Sequence, residues 1–219
     1  MDTAIATTSS KHPTGLWVIA MMSALMAFGF GSINSILILY ATSVLHLTDK
    51  QGYLLSATYN SLLFTLPLIG GFLSEKLGYK RALMVGLTMM IVALFCISIT
   101  NTQMMYIGCG MFTVGVALFV PTYFVLQGKL YSKEDSRRES AFTISYIIMN
   151  FGFLAAGLTA GYFARSFGYT TCFRISMVIT ALALIVYYFG RHAIKPYGDR
   201  VIAPQLKWAA STCWSALIA

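Results

Sequence analysis

The chain has 219 residues, 58% of them hydrophobic and only 10% charged, and its mean hydropathy is +0.73. A water-soluble domain carries about 25% charged residues, so this composition excludes a surface that faces water throughout. The net charge of +8 fits either a nucleic-acid partner or a membrane, and the placement of the basic residues separates the two.

The opening MDTAIATTSSKHPTG is polar and has no basic region directly ahead of a short apolar core. It reads as a tail, 1–14, and not as a cleaved signal peptide. Charge-free stretches follow at 13–45, 51–74, 82–128, 140–164 and 175–190. About 20 apolar residues cross a bilayer, so the first four are long enough to span one, and 175–190 reaches that length with its flanking residues. The run 82–128 is too long for one helix and is broken by TNTQ, Thr100 to Gln103, a polar turn. Six transmembrane helices are therefore predicted at about 15–45, 51–75, 80–100, 104–130, 139–165 and 171–191. Barrel strands are excluded by the missing period-two alternation. The segment 193–219 is expected to be a linker; its charge-free end, Trp208 to Ala219, begins a further helix without completing it.

The first helix carries SALMAFGFGSINSILILY, Ser23 to Tyr40, with Gly29, Gly31, Asn34 and three serines but no charge. Gly29 and Gly31 suit a close helix approach, while Asn34 needs a bonded neighbour or a wet cavity. The second helix carries Tyr59, Asn60, Phe64 and Pro67, and the fourth carries Pro121 and Tyr123. Both prolines are expected to bend their helices. Asn150 is a carboxamide in the middle of the charge-free fifth helix and demands a partner: a substrate or a neighbouring helix. Tyr59, Tyr123 and Tyr146 either line a cavity or pack with their hydroxyls bonded. Trp17, Tyr106 and Tyr169 stand near span ends, where amphipathic aromatics anchor.

Six spans put Lys11, Lys76, Lys80, Arg81, Lys129, Lys133, Arg137, Arg138, Arg191, Lys195, Arg200 and Lys207 on one side, leaving Lys50, Arg165 and Arg174 on the other. This bias sets orientation: the amino terminus and the segment after helix six are expected in the cytoplasm, and no nucleic-acid partner is expected. Cys96, Cys109, Cys172 and Cys213 are isolated and read as packing residues. His12, His46 and His192 all sit at span ends, with no catalytic grouping, metal-ligand spacing or phosphate loop. No enzyme, cofactor or metal site is expected.

Gly70 to Leu83, GGFLSEKLGYKRAL, links the second and third spans. Glu75 can pair there with Lys76, Lys80 or Arg81, and Gly78 permits the reversal. The spacing Gly71-x-Leu73-x-Glu75-Lys76-x-Gly78-x-Lys80-Arg81 resembles the loop 2–3 signature of the major facilitator superfamily, with Glu75 where Asp is usual. A narrower resemblance is to the proton-dependent oligopeptide transporters. Their Y-x-x-x-D-x-R-R-[DE]-x-x-F pattern is matched by Tyr131, Asp135, Arg137, Arg138, Glu139 and Phe142, and Tyr146, Asn150 and Gly152 follow in register. FTLPLIGG, Phe64 to Gly71, and the segment around Pro121 also resemble that family.

The resemblance implies the N-terminal six-helix bundle, 15–192, of a major facilitator fold. Two such bundles alternate a central cavity between the two sides of the membrane and take up di- and tripeptides with protons. It implies a substrate site at Asn150, Asn34, Phe30, Tyr59, Phe64 and Tyr146. It implies a gating and structural set at Gly71, Glu75, Gly78, Lys80, Arg81, Asp135, Arg137, Arg138 and Pro121. The expected partners are the lipid bilayer, a peptide or other small solute, and a second six-helix half from the same gene or another copy. The expected location is the inner (plasma) membrane. Departures are concentrated in helix one, where the family's charged coupling motif falls on Ser23, Met26 and Ala27, and its next arginine on Asn34. Val120 stands at the family's helix-four lysine and Phe64 at its helix-two tyrosine. No acid, base or histidine lies within the interior of any span, so the usual proton-coupling charges are missing from this half. The alternative is a truncated or repurposed membrane protein that transports nothing, a scaffold, receptor or carrier remnant.

Overall fold

The computed structural model describes residues 12–132 and 135–194. Six helices account for nearly all of them: α1 Thr14–Ser43, α2 Asp49–Leu77, α3 Tyr79–Ser98, α4 Thr102–Lys129, α5 Arg137–Phe167 and α6 Tyr169–Ile194. All six are long and apolar enough to span a membrane. The predicted spans hold to within three residues, and the shifts have local causes. Thr48 caps α2: its hydroxyl accepts from the Gln51 amide while the Gln51 side chain accepts from the Thr48 amide, so the helix begins ahead of the uncharged run. Asn101, inside the polar break, caps α4 by accepting from the amides of Gln103 and Met104. The expected tail and linker, with Trp208 to Ala219 and Cys213, lie largely outside the described residues.

Two three-helix units are visible in the chain. In each, a single glycine separates the second helix from the third: Gly78 (φ 85°) between Leu77 and Tyr79, and Gly168 (φ 84°) between Phe167 and Tyr169. A left-handed backbone at a one-residue reversal is accessible to glycine without a Cβ penalty. The units interlock. α1 packs chiefly on α5 and α6, α4 chiefly on α3 and α2, and α3 meets α6 in the middle. The helices thus follow one another as α2, α4, α3, α6, α1, α5; α1 also meets α2, while α4 and α5 share little contact.

Without a hydrophobic drive inside lipid, such packing relies on close backbone approach. A Cβ at Gly152 of α5 would run into the Ala24 carbonyl of α1, and one at Gly70 of α2 into the Ala117 carbonyl of α4. Gly86 and Gly115 bring α3 and α4 together in the same way, each placing a Cβ 2.8 Å from the other's carbonyl oxygen. Long tyrosines tie helix ends: Tyr40 of α1 donates to the Ile97 carbonyl of α3 at 3.1 Å, and Tyr187 of α6 to the Lys80 carbonyl at 3.3 Å. Cys109 and Cys172 are buried among apolar side chains, as expected of packing residues.

Candidate functional site

Four helices meet through a file of aromatic rings. Phe30 of α1 lies 5.3 Å, edge-on, from Phe153 of α5 and 6.4 Å from Phe112 of α4, which in turn lies 6.4 Å from Tyr59 of α2. Tyr59 is 2% exposed, and its hydroxyl has no hydrogen-bond partner among the described residues. An unpaired buried hydroxyl costs about 1–3 kcal/mol, so this one marks a position where a partner belongs.

On the other side of Phe153 an open groove of about 710 Å³ runs along α5, lined by Tyr146, Asn150, Phe151, Leu154 and Leu158. Asn150 spends one N–H on its own helix, donating to the Tyr146 carbonyl at 2.7 Å. Asn34 does the same toward Phe30 at 3.1 Å, and Asn60 toward Ser56 at 2.8 Å. None of these bonds crosses to another helix, which removes the reading of these amides as glue between helices. Phe30 and Tyr59 are thus joined through Phe112, and Tyr146 and Asn150 through Phe153. Asn34 and Phe64 stand apart: Asn34 is exposed one turn beyond Phe30, and Phe64 is 83% exposed on the outer face of α2.

The predicted gating residues form two groups at one end of the bundle. Around the α2–α3 reversal, Glu75 of α2 stands beside Tyr79 of α3. Lys129 of α4 places its Nζ 4.4 Å above the Tyr79 ring, so the acid sits among three helices and beyond its sequence neighbours. Gly71 lies against Pro121, a Cβ there being 3.6 Å from the proline ring, and Ser74 bridges to the Leu118 carbonyl at 3.3 Å. Lys80 is half-buried and Arg81 exposed. In the second group, Asp135 accepts from the backbone amide, Nε and Nη2 of Arg137 at 2.8–3.0 Å. That bracket holds the first turn of α5 and keeps the Asp135 carboxyl below the usual carboxylate range. Tyr131, whose hydroxyl is pushed up by burial, lies 2.9 Å from Nδ1 of His12 and so links the start of α1 to this loop. The Arg138 Nε is buried without a hydrogen-bond partner among the described residues. Lys133 and Glu134 lie outside the described residues.

Sequence reasoning passed over Gln127. It is fully buried in α4 and donates to the Ala141 carbonyl of α5 at 2.9 Å, a polar tie across the sparse α4–α5 junction. The signal that singled out Asn150, a lone carboxamide in a charge-free helix, applied equally to it.

A sequence profile of the Major Facilitator Superfamily matches residues 19–218. The chain belongs to that superfamily. Among curated proteins, this facilitator chain is 29% identical over 193 residues to dipeptide and tripeptide permease A of Erwinia pyrifoliae, covering 87% of this chain and 39% of the permease. It is 28% identical to the permease of the same name from Salmonella typhimurium, covering 38% of it. It therefore spans about two fifths of the length of these relatives. Among solved structures, a POT peptide transporter in complex with alafosfalin superposes with a TM-score of 0.84 at 23% identity, over 96% of this chain and 46% of that one. A POT family transporter in complex with 5-aminolevulinic acid gives 0.83 at 19% identity, again over 96% and 46%. These likenesses establish the fold: six helices forming the N-terminal bundle of a facilitator, embedded in a membrane.

Proposed function

We infer that the chain is the N-terminal bundle, about 15–192, of an alternating-access carrier for di- and tripeptides or related small solutes, acting with a second six-helix bundle. The observation that carries this reading is the similarity to dipeptide and tripeptide permeases across 87% of the chain. The groove at Tyr146 and Asn150, backed by the aromatic file to Tyr59, is the substrate-facing surface. Asn150 offers its carboxamide to peptide backbone groups, and the unpaired Tyr59 hydroxyl lies deeper behind it.

The second bundle covers α2 and α5. Phe64 and Leu68 on α2 and Phe151 and Leu158 on α5 are large and 64–83% exposed. Lipid can cover those, but it offers Asn150 no hydrogen-bond partner, whereas a facing bundle or a wet cavity does. The amino terminus and the ends of α2, α4 and α6 lie in the cytoplasm, as their basic residues require, and the membrane is the plasma membrane. The interiors of these six spans hold no acid, base or histidine, so a proton relay of the carrier uses residues beyond them.

The test is uptake of a labelled dipeptide by proteoliposomes holding the product of the intact gene, with and without a pH gradient. Saturable uptake that Asn150→Ala weakens through KM supports the reading. No uptake of any peptide or small metabolite removes it and favours a non-transporting protein.

A further inference from the structure

The groove along α5 can grip a solute by hydrogen bonds and apolar contact, but not by charge. Asn150 and the Tyr146 hydroxyl are its polar side-chain points. Phe151, Leu154 and Leu158, each 55–72% exposed, make most of its wall, with Phe153 behind them. Asn150 gives one N–H to the Tyr146 carbonyl, which leaves its second N–H and its Oδ1 for a ligand.

Charge lies far from this point. On α5 itself the nearest charged residues are Glu139, eleven residues before Asn150, and Arg165, fifteen residues after it. At 1.5 Å per residue those are about 16 and 22 Å away. α1, the main neighbour of α5, carries no charge between Thr14 and Ser43. α2 carries none from Gln51 to Ser74, and α4 none before Lys129. α6 brings only Arg174, near the reversal that also holds Arg165, and then no charge until Arg191. A solute enclosed against this wall loses water. A carboxylate or ammonium that finds no opposite charge there costs far more than a neutral amide that finds a donor and an acceptor.

We propose that the solute facing α5 is an uncharged dipeptide, cyclic or blocked at both ends, with an amide bonded to Asn150 and an apolar side chain along Phe151, Leu154 and Leu158. The proposal rests on the carrier reading above and narrows its substrate class. A carboxamide offers one N–H and one oxygen, the complement of the oxygen and N–H of a peptide amide. The apolar wall takes the side chain. A free dipeptide brings in addition an ammonium and a carboxylate, which this wall does not answer.

The test compares uptake of labelled cyclo(Ala-Phe) and labelled Ala-Phe at neutral pH by proteoliposomes holding the product of the intact gene, each corrected for entry into protein-free liposomes. The cyclic dipeptide is taken up with a KM about tenfold lower, the size expected when one buried polar group of the competitor goes unpaired. Asn150→Leu raises that KM. Leu154→Arg puts a cation one turn from Asn150 and moves the preference toward Ala-Phe. Thermal unfolding shows whether each variant is folded, and Asn150→Leu, which adds no charge, keeps the test open where Leu154→Arg does not fold. Equal KM values, or a lower one for Ala-Phe, overturn the proposal and leave the carrier reading standing, since saturable uptake of either solute shows a carrier. A preference for the cyclic dipeptide that neither variant alters overturns its placement on α5. No uptake of either solute above protein-free liposomes removes the carrier reading and this proposal with it.

Discussion

α1 and α4 bury 61% of their most apolar stretch, whereas α2 and α5 bury 22% of theirs. The exposed pair is nevertheless not loosely held. Gly152 brings α5 onto the Ala24 carbonyl of α1, and Gly70 brings α2 onto the Ala117 carbonyl of α4. One edge of each helix is in backbone contact with the bundle while the other edge is bare. In water such a division shows as a polar face opposite an apolar one. Here both edges are apolar, and what distinguishes them is where glycine meets a neighbour and where it meets nothing.

The comparison breaks most sharply at those glycines. Gly152→Val places a branched Cβ on the Ala24 carbonyl, where only backbone can give way, and is expected to cost about 3 kcal/mol, the upper end for overpacking. Gly157 lies five residues further along the same helix with nothing within 4 Å of a Cβ, so Gly157→Ala is expected to change stability by no more than about 0.5 kcal/mol. Thermal unfolding in detergent compares the two; equal losses would show that α5 does not have one held edge and one bare edge.

Next in size is the effect on the bare edge itself. Gly157→Leu should leave the melting of the bundle unchanged, yet push a branched side chain into whatever covers α5. If a second bundle lies there, peptide uptake falls about tenfold, equivalent to about 1.4 kcal/mol of lost interface. Unchanged uptake with unchanged melting would leave lipid as the covering of this face.

A smaller effect is expected at the sparse α4–α5 junction, the counterpart of the closer α1–α2 contact. Gln127→Leu removes the tie to the Ala141 carbonyl, worth about 1 kcal/mol. It also removes the Gln127 Oε1, which is buried without a partner among the described residues, so the measured loss should fall below that figure. A loss of several kcal/mol in thermal unfolding would mean that α4 and α5 depend on this bond far more than their few contacts imply.

The same contrast explains how much of the molecule was legible in the sequence. Helix number, length and the reversal at Gly78 followed from charge-free runs and one glycine, because a bilayer leaves a helical chain few alternatives. The matching reversal at Gly168 is as plain in Phe167-Gly168-Tyr169, but it lacks the run of charges, Glu75, Lys76, Lys80 and Arg81, that marks the one at Gly78. Which residues share a surface was harder to read. Phe30 and Tyr59 meet only through Phe112, and Phe112 in an apolar run carries no mark of its own. Asn34 and Asn150 share a residue type and both bond within their own helices, but only Asn150 lines the groove along α5. Helix phase and crossing decide that, and neither is written in composition.

The smallest effect tests the bracket that starts α5, the better anchored end of the bare helix. Asp135 accepts three bonds from Arg137, which favours its charged form and depresses its pKa in the folded state. A depressed carboxyl contributes stability that is fully present above its unfolded pKa, about 3.9, and is lost as pH falls through the lower folded value. Unfolding followed from neutral pH into the acid range should therefore show a shallow acid limb; Asp135→Asn removes one component of it by lowering the neutral plateau slightly, and the two curves converge in acid. The pair is partly exposed, with 29% and 19% of its side chains accessible, so solvent and salt screen it and the difference between the two curves should be modest. Adding salt should shrink that difference further. A difference that persists at high salt, or that remains at pH values well below the carboxylate range, would mean Asp135 holds more than the first turn of α5, with His12 and Tyr131 beside it as the first places to look.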